Sequence, residues 1–131
     1  MHHIQSPRTC DASIEEEILA KGLTAPRILP ADIEANIASC YYFTAEEGRV
    51  GALNTQASEH SVSYCAVPGS PLSLLTFCVL VLKNGFTVTG ESACASPENF
   101  DAEVGRKIAR ANAVNKVWPL MGYELKSKLT A

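Results

Sequence analysis

The stretch LLTFCVLVLKNGFTVTG, residues 74–90, decides the fold. Its first ten residues are apolar on both alternating faces up to Lys83, as expected of a strand covered on both sides. Asn84-Gly85 then signals a two-residue hairpin, because a type I′ turn needs positive φ at both central positions. Pairing outward from that turn sets Lys83 against Phe86, Val81 against Val88 and Val79 against Gly90. One face gathers Leu75, Phe77, Val79, Val81, Phe86 and Val88 and is the predicted core face. The other carries Cys78, Leu80 and Leu82 beside Thr87, Thr89 and Glu91. That second face is half apolar, so the N-terminal helices or another subunit should cover it.

After the hairpin comes a run of small residues, TGESACAS (89–96), and then a helix start. Ser96 is the expected N-cap, Pro97 the first helical position and Glu98 the second. At about 100° per residue, Phe100, Val104, Ala111, Val114, Val117 and Trp118 form one stripe, with Ile108 at its edge. That stripe is suited to dock on the hairpin, and Pro119 should stop the helix. The tail LMGYELKSKLTA has Met121, Leu125 and Leu129 at helical spacing. It also alternates Tyr123 with Leu125, which leaves helix or strand open for 120–129.

Upstream, the chain is segmented. DASIEEEILAKG (11–22) offers Asp11 or Ser13 as a cap and Gly22 as a stop. Two prolines interrupt LTAPRILP, and ADIEANIASC (31–40) puts Ile33 and Ile37 one helical turn apart. In YYFTAEEG, Thr44 and Glu47 have capping-box spacing, but Gly48 follows so soon that only a single turn is expected. RVGALNTQASEH reads as a surface loop, and Val62 to Val67 as a short strand ended by Pro68-Gly69. The chain is thus expected to be a single domain over 1–131. Its parts are a helical segment to 48, a loop-rich connector over 49–73 and a hairpin-helix core over 74–131.

With 131 residues, 47% hydrophobic and 19% charged, the chain has the balance of a folded domain with a real core. A formal net charge of −3 disfavours nucleic acid or an anionic membrane as a partner. The apolar run LLTFCVLVL is far shorter than the roughly 20 residues of a membrane span. MHHIQSPRTCDAS lacks the basic and apolar regions of a signal peptide. The five cysteines Cys10, Cys40, Cys65, Cys78 and Cys94 lack CxxC spacing and fit free thiols in a reducing compartment.

The small-residue run admits two readings: close backbone packing, or a ligand pocket at a helix N-terminus. Glu91, Glu98, Asp101 and Glu103 crowd that terminus and repel phosphate, and neither GxxxxGK(S/T) nor GxGxxG is present. Packing is the preferred reading. The pocket reading would draw on Gly90, Glu91, Ser92, Ser96, Lys107 and Arg110. Lys107 falls inside the predicted apolar stripe, either pairing with Glu103 one turn earlier or facing an anionic ligand. Cys94 as a nucleophile would need a base, and only His2, His3 and His60 are offered, none nearby in sequence. Ser92 lacks a nucleophile elbow, Glu98 and Asp101 read as a solvated first turn, and no zinc spacing occurs. No catalytic residue, metal or cofactor is therefore expected.

Hairpin, small-residue turn and a helix reading RKIARANA are similar in order to the second half of a double-stranded RNA-binding domain. That family places lysines where this chain has Glu98, Asp101 and Glu103, so RNA is not an expected partner. A longer pattern is more specific. NGFTVTGESACASPENFDAEVGRKIARANAVNKVWPLMGYEL resembles a family of small tailed-phage and prophage proteins named after gene products forty-nine and sixty-six. The resemblance covers roughly residues 74–129. KGLTAPRILPADIEANI and YYFTAEEG are similar to a longer branch of the same family. It implies a phage or prophage origin, and no catalytic residue carries over from it.

The expectation is an α+β fold: a small antiparallel sheet around the 74–91 hairpin, a helix over about 97–118 and helical N-terminal segments. The expected function is that of a non-catalytic accessory protein in the host cytoplasm, binding a host protein or a small anionic ligand. A homodimer through the second sheet face is a further expectation. The alternatives are a sponge for a nucleotide-like signal at the 89–98 turn and a small enzyme.

Overall fold

The computed structural model describes residues 7–57 and 63–131. Among them, the order is α1 (Pro7–Ala20), α2 (Pro30–Asn36), β1 (Ile37–Thr44), α3 (Ala45–Gln56), β2 (Leu75–Leu82), β3 (Thr87–Ala93) and α4 (Ala102–Leu129). The strands form one antiparallel sheet in the order β1-β2-β3, and α4 lies across it over β3 and β2. The fold is α+β, with the C-terminal helix on the sheet as the sequence indicates.

The hairpin differs from expectation by one residue, and that residue reverses the faces. Leu82 N–H donates to Phe86 O at 2.8 Å and Gly85 N–H donates to Leu82 O at 2.9 Å. The loop is therefore the three residues Lys83-Asn84-Gly85, with Gly85 alone in the left-handed region at φ 88°. This is a turn followed by a left-handed residue, the common alternative to a two-residue loop. The register becomes Val81 opposite Thr87, Leu80 opposite Val88 and Cys78 opposite Gly90. A one-residue slip exchanges faces because side chains alternate with period two. The buried row is therefore Thr76, Cys78, Leu80, Leu82, Val88 and Gly90, not the row of Phe77, Val79 and Val81. The polar row Thr87, Thr89 and Glu91 is exposed, as alternation demands.

Small residues then set the distance between layers. α4 buries Gly105, Ala109, Ala113 and Val117, a ridge of four positions spaced by four. A Cβ on Gly90 would stand 2.2 Å from Ala109 O and 2.3 Å from Ala113 N, so the helix backbone rests on the β3 backbone. Packing is thus what the small residues at Gly90 and along the ridge accomplish. The predicted stripe holds only in its C-terminal half, where Val117 is fully buried and Val114 and Trp118 pack on the core; Val104 and Ile108 are exposed and Phe100 is half-buried.

The helix also begins later and ends later than 97–118. Pro97–Asn99 is a single 3-10 turn, and Asp101 caps α4 by accepting from Val104 N–H at 3.0 Å. Pro119 lies inside the helix at an exposed position. It removes only its own bond to the Asn115 carbonyl, while Trp118 and Met121 pack on the core on either side of it. Residues 120–129 are helical.

The expectations for the chain ahead of the hairpin are corrected at several points. α1 starts at Pro7, upstream of Asp11 and Ser13. The helix read over 31–40 ends at Asn36, and the aromatic, β-rich run IASCYYFT becomes β1, so the segment to residue 48 is not all helix. Gly48 does not stop α3: the capping box closes with Glu47 N–H to Thr44 Oγ1 at 3.1 Å and Thr44 N–H to Glu47 Oε1 at 2.8 Å. The helix then runs to Gln56, through what had read as a loop. Residues 63–67 form no strand, because their backbone groups pair with α3 side chains instead. Asn54 bonds both Tyr64 N–H and Tyr64 O, and Glu46 accepts from Val67 N–H. Val62, His2, His3 and His60 lie outside the described residues.

Candidate functional site

Ile33 is almost fully buried and anchors α2 beside α4. Its neighbour Glu34 therefore meets Arg110 of α4 in a two-pronged pair, with Nη1 to Oε1 at 3.1 Å and Nη2 to Oε2 at 2.9 Å. Below this pair, the helix-facing row of the sheet brings Cys40 and Tyr42 of β1 to Cys78 of β2. Tyr42 is directly opposite Cys78, and the two sulfurs are 3.6 Å apart. Cys78 is buried, Cys40 half-buried and Tyr42 38% exposed.

Burial first, then contact with Cys40, pushes the Cys78 thiol up to about 12. The same two causes push Tyr42 up to about 12, against a smaller opposite pull from the Arg110 charge. Arg110 is itself raised, chiefly by its hydrogen bonds to Glu34. At neutral pH the cluster thus holds a fixed cation, a protonated phenol and a buried protonated thiol, and Glu34 is committed to Arg110. It offers recognition and sulfur chemistry rather than general-base catalysis.

The residues expected to form a pocket at the 89–98 turn are dispersed. Gly90 lies beneath α4. Glu91 is turned to the β3 flank of the helix, where its carbonyl accepts from Asn112 Nδ2 at 2.8 Å and its carboxylate stands 3.9 Å from Lys116. Ser92 is half-buried in β3, and the Ser96 carbonyl accepts from Cys94 Sγ at 3.1 Å. Lys107 is exposed, not inside the apolar stripe, and pairs with Glu103 at 3.2 Å. Arg110 faces the β1 flank and joins the cysteine cluster instead. Among the described residues, no three His, Cys, Asp or Glu side chains gather to hold a metal ion.

A match to the phage protein (N4 Gp49/phage Sf6 gene 66) family covers residues 28–129. The chain belongs to that family. The span takes in α2, β1 and α3 as well as the hairpin and α4, so the family fold includes every residue of the Glu34–Arg110–Cys40–Cys78 cluster. No curated protein and no solved structure matches the chain. Among the described residues of this phage protein, no helix is long and apolar enough to cross a membrane.

The phage protein has a second surface of note, the sheet face turned away from α4. Tyr41 and Phe43 of β1 pair there with Val79 and Phe77 of β2, and the Phe43 and Phe77 rings are tilted with centroids 5.6 Å apart. α3 packs at the Phe43 end, where Gly48 lies against that ring. Tyr41 remains 58% exposed. Sequence reasoning missed β1, and with it Cys40, Tyr42 and the exposed Tyr41. The signal was present in the unbroken run Tyr41-Tyr42-Phe43-Thr44, whose residue types favour strand over turn. Nothing local could have joined Cys40 to Cys78, since only the sheet register brings them together.

Proposed function

We propose that this phage protein is a non-catalytic accessory factor that acts in the infected cell by binding a host protein through the open face of its sheet. The observation that carries this reading is the row Tyr41, Phe43, Phe77, Val79 and Val81, in which Tyr41 and Phe43 are exposed and the other three half-buried among the described residues. An aromatic and aliphatic row without a charge at its centre suits a protein partner with an apolar surface. It does not suit a nucleic acid or a small anion. Tyrosine and phenylalanine supply large contact area at low entropic cost, which is why such residues anchor interfaces. The nucleotide-sponge reading draws less support, because Lys107 and Arg110 are each paired with a carboxylate, Glu103 and Glu34.

The experiment is reconstitution. A host protein retained by the tagged phage protein is purified and titrated against wild type, Tyr41→Asp and Val79→Asp. A loss of affinity of tenfold or more in both variants, with unchanged thermal melting, supports the reading. Equal binding by all three places the partner elsewhere. A concentration-dependent dimer that Tyr41→Asp dissolves makes the occupant a second copy instead.

A further inference from the structure

Two thiols in contact across neighbouring strands have a chemistry that neither has alone. Cys40 Sγ and Cys78 Sγ are 3.6 Å apart, and both are free. The register places Cys40 opposite Leu80, so Cys78 is its diagonal neighbour on the same face. A register shift between Ile37 and Ser39 lies immediately before Cys40. Such bulges increase local twist, which draws one diagonal pair together. Cys40 is half-buried, within reach of a small reagent, whereas Cys78 is sealed beneath the helix layer. Arg110, fixed by Glu34, lies within electrostatic range of both sulfurs and favours negative charge that develops there.

We propose that Cys40 and Cys78 form a modification site at which a peroxide converts the dithiol into an intramolecular disulfide. Cys40 sulfur attacks one peroxide oxygen, the O–O bond breaks, and one water leaves as a sulfenic acid forms on Cys40. Cys78 sulfur then attacks the Cys40 sulfur, the S–O bond breaks, and the Cys78 proton departs with the hydroxide as a second water. Two thiols are oxidised by two electrons and one hydrogen peroxide is reduced to two waters. Burial raises the thiol pKa of Cys78 and slows its attack, so Cys40 sulfenic acid is the intermediate to trap. The bond ties edge strand β1 to central strand β2 and closes the loop that carries α3.

The test is treatment of the whole reduced protein with hydrogen peroxide, followed by alkylation of remaining thiols and peptide mapping. The expected product is a Cys40–Cys78 cross-linked peptide, with the mass of two hydrogens lost and recovered on addition of dithiothreitol. A dimedone adduct on Cys40 should precede it. In Cys78→Ala the dimedone-reactive Cys40 should persist, and in Cys40→Ser no intramolecular cross-link to Cys78 should form. Three outcomes would overturn the proposal. These are Cys78 fully alkylated after Cys40 has reached sulfinic acid, a cross-link joining Cys65 or Cys94 first, or disulfide-linked dimers as the main product.

Discussion

Gly90 and Ala113 meet backbone to backbone: a Cβ on Gly90 would lie 2.3 Å from the Ala113 nitrogen and 2.9 Å from its Cα. Neither atom belongs to a flexible side chain, so Gly90→Ala must push α4 off the sheet. Overpacking of this kind costs about 1–3 kcal/mol or more. Urea unfolding of Gly90→Ala should show that loss. Gly122→Ala, where nothing lies within 4 Å, should be neutral or stabilising by up to ~1 kcal/mol. Equal effects at the two sites would contradict the close approach.

The hairpin register depends on Gly85, at φ 88° with open space around it. Gly85→Ala should cost about 1–2 kcal/mol through backbone conformation alone. A replacement by D-alanine, made by chemical ligation, should recover stability. Unfolding curves of the two proteins that coincide would contradict a left-handed residue at this position.

The Glu34–Arg110 pair holds α2 to α4 with both nitrogens engaged. Because Glu34 is partly exposed, a double-mutant cycle should return a coupling of only about 0.5–1 kcal/mol. Arg110→Lys should lose most of it, since an ammonium cannot match the two-pronged geometry. A coupling near zero would detach α2 from the account of the cluster.

Glu46 is the buried carboxylate that gathers the connector. It accepts from Arg49 Nε at 2.8 Å, from Val67 N–H at 2.6 Å and from Ser70 Oγ at 3.3 Å. Its pKa is lowered to about 2 from 4.5, chiefly by Arg49 and then by the Val67 amide. A depressed carboxylate stabilises the folded state above its unfolded pKa and loses that contribution as pH falls through its folded pKa. Thermal stability should therefore decline between pH 4.5 and about 2 by this route. In Glu46→Gln the decline over that window should be shallower and the stability at neutral pH lower. A wild-type profile no steeper than that of Glu46→Gln would contradict it.

How much of this was legible in the sequence follows from which signals are local. Thr44 with Glu47, Asn84-Gly85 and the apolar run 74–82 each mark an element from neighbouring residues, and each element is present. The register was not legible, because Lys83-Asn84-Gly85 and Asn84-Gly85 are equally good turns and differ by one residue. The polar row Thr87, Thr89 and Glu91 held the missing information: it must face solvent, which forces Val79 and Val81 to its side. The helix face was misread because Gly105, Ala109 and Ala113 carry little hydrophobic weight, although close packing on Gly90 requires small side chains. The cysteine cluster depends on β1, α2 and α4 together, so no single stretch announces it.

The most direct measurement is a set of proton–proton nuclear Overhauser effects in the folded protein. The account predicts contacts from the Gly90 Hα protons to the Ala109 and Ala113 methyls, with the Val79 and Val81 methyls showing none to α4. Contacts from α4 to Val79 and Val81, with Leu80 and Gly90 free of them, would place the helix on the other face and close the surface assigned to a partner.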